Sequence, residues 1–227
     1  MRSKILVMVG SVMLAGALAL AASDAPTGKD GAPMVLIQEG AFMIGSNDGL
    51  PNERPEHKVW LDSYYIDQYE VTMTLYAKFM ASTKRPAPPL WDEDAVMSSG
   101  NRPAVGVTWE DADAYCRWAG KQLPTEAQWE KAARGADGRR YPWGHMQPFV
   151  DIANYNRGQW VSYAITLQAV DSGVEGMSVR HGTTTGGRSP YGIYHMAGNA
   201  AEWVADWYDR EYYQKSPDKN PKGPESG

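Results

Sequence analysis

The chain has 227 residues, 43% of them apolar, and a formal net charge of −5 at neutral pH. This apolar content is enough to bury a substantial core, and the length favours one domain. The acidic balance argues against nucleic acid as a partner, because nucleic-acid binding depends on clustered lysine and arginine.

The amino-terminal residues have the layout of a secretory signal peptide. Arg2 and Lys4 precede an apolar run from residue 5 to residue 22, and polar residues follow it. We therefore expect residues 1–22 to be a signal peptide and the protein to be periplasmic or extracellular. The alternative is a retained membrane anchor, since the run is near the lower limit of length that spans a bilayer. A membrane is an expected partner only in that case.

Residues 23–33 follow this run, and their proline, glycine and charged residues predict a mobile linker. Two short apolar stretches come next, at 34–37 and 41–44. With Gly40 between them, they predict a β-hairpin. Residues 58–61 and 64–66 are further strand candidates, because they are rich in aromatic and β-branched side chains.

Three threonines stand where helix N-caps are expected. Thr108 is followed three residues later by Asp111 and Thr125 by Gln128, a spacing that favours a capping box. The helices predicted after the threonines at 72, 108 and 125 cover about 73–82, 109–119 and 126–134. Gly120 and Gly135 are the expected stops of the last two.

The chain contains one cysteine, Cys116, so it cannot form an internal disulfide. Its position on an apolar helix face predicts a buried structural thiol rather than a nucleophile. The sequence also contains nine Trp and 13 Tyr. For Trp203 and Trp207, core packing is the expected role and ligand stacking the alternative.

Seven ordered blocks of the sequence carry a resemblance to one family. They are AFMIGS (41–46), NERPEHKV (52–59), IDQYEVT (66–72), RPAVGVTW (102–109), ADAYCRWAGKQLPTEAQWEKAARG (112–135), YPWG (141–144) and SPYGIYHMAGNAAEW (189–203). Together they resemble the sulfatase-modifying factor, or formylglycine-generating enzyme, family. The resemblance implies an α+β, C-type-lectin-like domain over residues 34–208 that is rich in loops. The polar residues 209–227 are expected to be a loop or frayed end, in a domain incomplete at its carboxy terminus.

The resemblance also implies a chemistry, which is oxidation of a sulfatase-peptide cysteine to an aldehyde with O2 and a copper ion held by two thiolates. Soft thiolates favour Cu(I). Because this chain has a single cysteine, copper is not expected here and no catalytic residue is assigned. Ala201 stands where the family has an aromatic residue near the substrate groove. Loss of a groove wall and ordinary sequence drift are both open explanations.

Structural calcium is a further implication of the resemblance. One site corresponds to the side chains of His195 and Glu202 and to the backbone carbonyls of Gly198 and Ala200. The other corresponds to Asn154 with the Tyr155 carbonyl, and to Asp171 with the Gly173 carbonyl. Calcium prefers oxygen ligands, so the imidazole of His195 is a poor match. Loop capping is the alternative role for Asn154 and Asp171.

These observations predict an exported domain that acts as a non-catalytic binding or accessory module with a protein or peptide partner. One alternative is that the chain is the amino-terminal part of a formylglycine-generating oxidase. A second is a membrane-anchored structural subunit of a complex, held by the apolar run at residues 5–22.

Overall fold

The computed structural model describes residues 26–89, 91–148, 153–154, 169–171 and 188–227. Within them the chain forms short strands and short helices joined by long loops, which confirms the α+β prediction. The elements are β1 (Met34–Ile37), β2 (Gly40–Ile44), β3 (His57–Leu61), β4 (Tyr64–Asp67), α1 (Met73–Thr83), α2 (Glu93–Ser99), α3 (Trp109–Ala119) and α4 (Glu126–Arg134). The candidate signal peptide or anchor at residues 1–22 lies outside the described residues. In the described ranges, no helix has both the length and the apolar character needed to cross a membrane.

The predicted hairpin between the first two strands is wrong, although both strands exist. β1 pairs antiparallel with β4, and β2 pairs antiparallel with β3, so two separate two-stranded sheets form. The reason is that the two strands bury their side chains in different places. Ile37 packs with Ala132 and Ile193, whereas Phe42 packs with Val59. The chain therefore crosses from one sheet to the other between β1 and β2.

A buried lysine of α4 holds this crossing in place. The ammonium of Lys131 donates to the carbonyls of Gln38 and Gly40 at 2.8 and 2.9 Å. Its side chain is buried, with 2% of the residue exposed. The burial lowers the pKa of Lys131, and the two carbonyls offset part of the cost of placing an ammonium there.

The three threonine caps are confirmed. The hydroxyls of Thr72, Thr108 and Thr125 each accept a backbone N–H three residues further on. Only Thr125 forms the full capping box, since the side-chain oxygen of Gln128 accepts the Thr125 backbone N–H at 2.9 Å. The Asp111 carboxylate accepts the Thr108 hydroxyl instead. The short helix α2 was not predicted.

The helices bury an aromatic core against one another. Tyr76 and Phe79 of α1 pack against Tyr115 and Ala119 of α3. Tyr76 and Phe79 meet edge-on, with ring centroids 5.3 Å apart, an arrangement that aromatic rings favour. On α1, Phe79 is buried, whereas Leu75 and Met80 are only partly buried.

Residues 26–33, which the sequence predicts to be a mobile linker, contact the domain through Asp30. The side chain of Asp30 is 0% exposed and lies 2.9 Å from the ammonium of Lys121. The hydroxyl of Tyr115 donates to the same carboxylate at 2.8 Å. This segment is attached to α3 because a carboxylate in it meets two donors in the protein interior.

Of the two expectations for residues 209–227, a loop or a frayed end, the structure has the loop, since most of the segment is irregular and part of it packs on the domain. Tyr213 is buried in the core of the β2–β3 sheet. Further on, Trp60 of β3 donates its backbone N–H to Asp218 at 2.7 Å and accepts one from Asn220 at 2.9 Å. The tail is therefore attached to the outer edge of β3.

Replacing Lys131 by Met should destabilise the fold by about 1 to 3 kcal/mol, because the carbonyls of Gln38 and Gly40 lose a charged donor. The measurement is urea unfolding followed by circular dichroism. Lys78→Met is the matched control, since Lys78 is exposed on α1, and its effect should stay within about 0.5 kcal/mol. Equal effects of the two substitutions would show that the crossing does not depend on Lys131.

Candidate binding pocket

A pocket of about 480 Å³ opens between β4, the carboxyl end of α3, the loop that follows it, and residues 193–203. This volume lies in the range of small-ligand sites. Its walls are mainly apolar and aromatic. The aromatic side chains that line it are Tyr64, Tyr65, Tyr69, Tyr76, Tyr115, Tyr194 and Trp203.

Glu70, which sequence reasoning missed, lies in this pocket between β4 and α1. Its carboxylate accepts the backbone N–H of Ala200 at 3.1 Å and the side-chain amide of Asn199 at 2.6 Å. Asn199 has a φ of 62°, in the left-handed region, which asparagine tolerates better than most residues. Glu70 therefore fixes the turn that carries the pocket residues 200–203.

Glu202 is the second carboxyl of the pocket and lies next to Glu70. Its Oε2 accepts the indole N–H of Trp129 at 2.7 Å. Glu202 lines the pocket and is exposed. The surrounding protein desolvates its carboxyl in part, and this raises the pKa of Glu202. The pKa of Glu70 is raised to about 8, mainly by burial and secondly by the nearby Glu202.

The two carboxyls can therefore hold a proton at neutral pH, and an acid with a pKa near the working pH can both donate and accept hydrogen bonds. No basic side chain of the described residues forms an ion pair with either of them. The pair is thus available to a ligand with hydrogen-bonding groups.

The other end of the pocket contains a basic group that is already paired. Lys121 donates to Asp30 at 2.9 Å and to Asp67 at 2.7 Å. Burial raises the pKa of Asp67 despite the lysine. Burial also acts to raise the pKa of Asp30, but hydrogen bonds from Lys121 and Tyr115 outweigh it and lower the value. Lys121 therefore keeps Asp30 ionised and has little capacity left for an anionic ligand.

Cys116 forms part of the pocket wall. Its thiol is partly buried and packs against the aromatic core of α1 and α3. Burial, and next the nearby Asp67, raise the pKa of Cys116 to about 12. The thiol is therefore protonated at neutral pH, as expected of a structural cysteine, although the sequence did not indicate that it lines a pocket.

The residues predicted for the second calcium site are only partly described. Tyr155 and Gly173 lie outside the described residues. Asn154 donates its side-chain amide to the Asn199 side chain at 3.0 Å and accepts the Asn199 backbone N–H at 2.8 Å. The carboxylate of Asp171 accepts a hydrogen bond from Asn101 at 3.3 Å.

The residues predicted for the first calcium site contact different parts of the chain. Gly198 packs on the backbone of Asn154, and a Cβ there would lie 2.7 Å from the Asn154 carbonyl oxygen. Nε2 of His195 lies 3.2 Å from the Ala169 carbonyl, while Glu202 is bonded to Trp129. In the described ranges, no three His, Cys, Asp or Glu residues are grouped to hold a metal ion.

The expected core packing of Trp203 and Trp207 is wrong. They are 49% and 60% exposed. The indole N–H of Trp203 donates to the Val107 carbonyl at 3.1 Å, which fixes the ring at the pocket with part of its surface open. Ala201 lines the same part of the pocket.

The stability of the protein should fall as pH rises from about 5 to about 8. The folded state keeps Glu70 protonated up to its raised pKa, whereas the unfolded chain ionises near 4.5, so each pH unit crossed in this window removes up to about 1.4 kcal/mol. The measurement is urea unfolding across this window. Glu70→Gln should make the fall less steep, with the contribution of Glu202 remaining, and Glu56→Gln, in the loop before β3, should leave the profile unchanged. A wild-type profile as flat as that of Glu70→Gln would contradict the assignment.

Comparison with known proteins shows which family the chain resembles. Residues 21–224 match the family described as sulfatase-modifying factor enzyme 1-like domain. The formylglycine-generating enzyme of Bos taurus is 31% identical over 91% of this chain and 67% of its own length. That of Thermomonospora curvata is 31% identical over 86% of this chain and 78% of its own. The serine/threonine-protein kinase pkn1 of Chlamydia pneumoniae is 32% identical over 86% of this chain, but over only 31% of its own length.

Solved structures show the same fold. PvdO from Pseudomonas aeruginosa superposes with a TM-score of 0.65 at 24% identity, over 87% of this chain and 79% of that one. Treponema denticola variable protein 1 gives a TM-score of 0.62 at 23% identity, over 86% and 80%. With the family match, these superpositions confirm the predicted formylglycine-generating-enzyme-type fold. The chain belongs to the family of sulfatase-modifying factor enzyme 1-like domains.

Proposed function

We propose that this chain is a non-catalytic binding module that takes an extended peptide of a partner protein into the pocket between Glu70 and Lys121. The observation that carries the proposal is the state of the pocket's thiol. Cys116 is the one cysteine of the 227 residues, and burial keeps it protonated. The pocket's remaining chemistry is that of recognition, with aromatic walls and a carboxyl pair that can hydrogen-bond to peptide groups.

The residues present do not fit the copper ion that the family implies. A dithiolate site needs two ionised sulfurs, and copper binding to Cys116 alone would have to remove a proton held with a pKa of about 12. The charged groups that act most strongly on the thiol are Asp67 and Lys121, which form an ion pair with each other. We therefore assign no oxidation step to these residues.

The small share of the Chlamydia relative that matches this chain supports a role as a binding module. That kinase matches this chain over 31% of its own length, so a domain of this kind is joined there to a larger protein. Identity of 31% to formylglycine-generating enzymes favours a second candidate function, in which this chain is part of an oxidase whose thiolates lie elsewhere.

Export and calcium binding form part of the proposal. The layout of residues 1–22 supports export through a signal peptide, and amino-terminal sequencing of the secreted protein tests it. Calcium is supported by the closeness of two of the expected ligand positions, since Gly198 packs on the backbone of Asn154.

Millimolar Ca2+ should raise the melting temperature relative to a chelator. A ligand at one hundred times its dissociation constant adds about 2.7 kcal/mol of stability. His195→Asp should enlarge the calcium response, because a carboxylate is a better calcium ligand than an imidazole. Asn154→Ala should reduce it. Identical melting curves in calcium and in chelator would exclude an occupied site.

A peptide carrying the Cys-x-Pro-x-Arg motif of sulfatases should bind this chain but remain unoxidised when copper and O2 are supplied. Mass spectrometry detects the conversion of cysteine to aldehyde, and the Thermomonospora curvata relative serves as the positive control. Aldehyde produced by this chain would overturn the non-catalytic proposal and favour the oxidase.

Binding of the same peptide is measured by calorimetry. Trp203→Ala should weaken it at least about fivefold, corresponding to about 1 kcal/mol for an anchoring aromatic. Trp60→Ala is the matched control, because Trp60 is 41% exposed on β3 and does not line the pocket. No binding by the wild-type protein, or equal loss in both variants, would count against peptide recognition in this pocket.

A further inference from the structure

Residues 26–30, here called the strap, close one end of the pocket. The first three line it together with Cys116 and Lys121. The backbone N–H of Lys29 donates to the carbonyl of Ala119 at 2.8 Å, at the carboxyl end of α3. The strap therefore lies on the helix whose side chains form that end of the pocket.

A single buried carboxylate anchors the strap. Asp30 accepts hydrogen bonds from Lys121 at 2.9 Å and from Tyr115 at 2.8 Å. Lys121 also donates to Asp67 at 2.7 Å. Because Lys121 keeps Asp67 as a partner, the strap can leave α3 without leaving the ammonium unpaired.

Gly28 shows how closely the strap approaches α3. A Cβ at this position would lie 2.3 Å from Cε of Lys121 and 2.9 Å from the carbonyl oxygen of Ala119. Gly28 is not among the residues with positive φ, so its backbone conformation accepts a side chain. What excludes one is the close approach of the Ala119 carbonyl, of the Lys121 side chain and of the strap's own Asp30, whose Oδ1 would lie 2.7 Å from the Cβ.

We propose that the strap is an intramolecular gate. Its residues 26–28 occupy the end of the pocket near Lys121, and a ligand that reaches this end displaces them while Lys121 stays paired with Asp67. The inference rests on the proposed binding function and adds its regulation. Local openings cost less free energy than global unfolding, and the hydrogen bonds that join the strap to α3 and Lys121 are those of the Lys29 backbone and of the Asp30 carboxylate.

The rate at which a maleimide modifies Cys116 tests the gate. Cys116 is the one thiol of the chain, so every modification event reports this pocket. Gly28→Val should displace the strap, because its side chain clashes with the Ala119 carbonyl oxygen and with the Lys121 and Asp30 side chains that anchor the strap. Tyr115→Phe should loosen it by removing a donor to Asp30. Neither changes a charge. Each should accelerate modification about tenfold, equivalent to about 1.4 kcal/mol of opening free energy.

Asp30→Asn should accelerate the reaction as well, and Lys29→Ala is the matched control. Lys29 belongs to the strap, but its recorded bond uses only its backbone N–H, so its variant should react at the wild-type rate. All proteins are compared below their melting transitions at one pH. Should Gly28→Val fail to fold, Tyr115→Phe carries the test. Unchanged rates in the folded charge-neutral variants overturn the gate. Acceleration by Asp30→Asn alone overturns it too, since that result reflects the charge around the thiol.

The peptide assay separates this inference from the proposed function. Tighter peptide binding by Gly28→Val than by the wild type supports both. Faster modification of Cys116 with no peptide bound by any variant supports the mobile strap and overturns the binding function. Equal peptide affinity in wild type and Gly28→Val supports the binding function and overturns the gate.

Discussion

The ion pairs of Lys121 with Asp30 and Asp67 are the interactions that hold the end of the pocket next to the strap. Lys121 lies just after α3, and its two carboxylate partners come from the strap and from β4. One positive charge thus joins three parts of the chain that are far apart in sequence. Removing either partner of a buried ion pair is costly, because it leaves a charge without compensation. The position of β4 relative to α3, and with it the width of the pocket, depends on this contact.

The sequence predicted the elements whose signals are local. A threonine cap and a glycine stop lie within a few residues of each other, so the bounds of α3 and α4 could be predicted closely. Strand pairing was not predictable in this way. It depends on where Ile37 and Phe42 are buried, and that depends on α4, which supplies Lys131 to the crossing between them.

The candidate site shows the same division. Glu202 was found through the family resemblance, but Glu70 was missed, because Asn199, its hydrogen-bond partner, lies 129 residues further along the chain. The exposure of Trp203 was also missed. A tryptophan is usually placed in a core on general grounds, and no local pattern tells that its indole N–H reaches the Val107 carbonyl at 3.1 Å.

Side-chain hydrogen bonds help to hold the loops of the pocket. Glu70 supplies both acceptors for the turn at Asn199 and Ala200, and Glu202 fixes Trp129. Such a site can change its chemistry while the helices and sheets remain, which is why membership of the family does not by itself decide activity. The protonation of the two carboxyls has a similar consequence for recognition. A pair that retains a proton at neutral pH presents both a donor and an acceptor, whereas two free anions would present acceptors only.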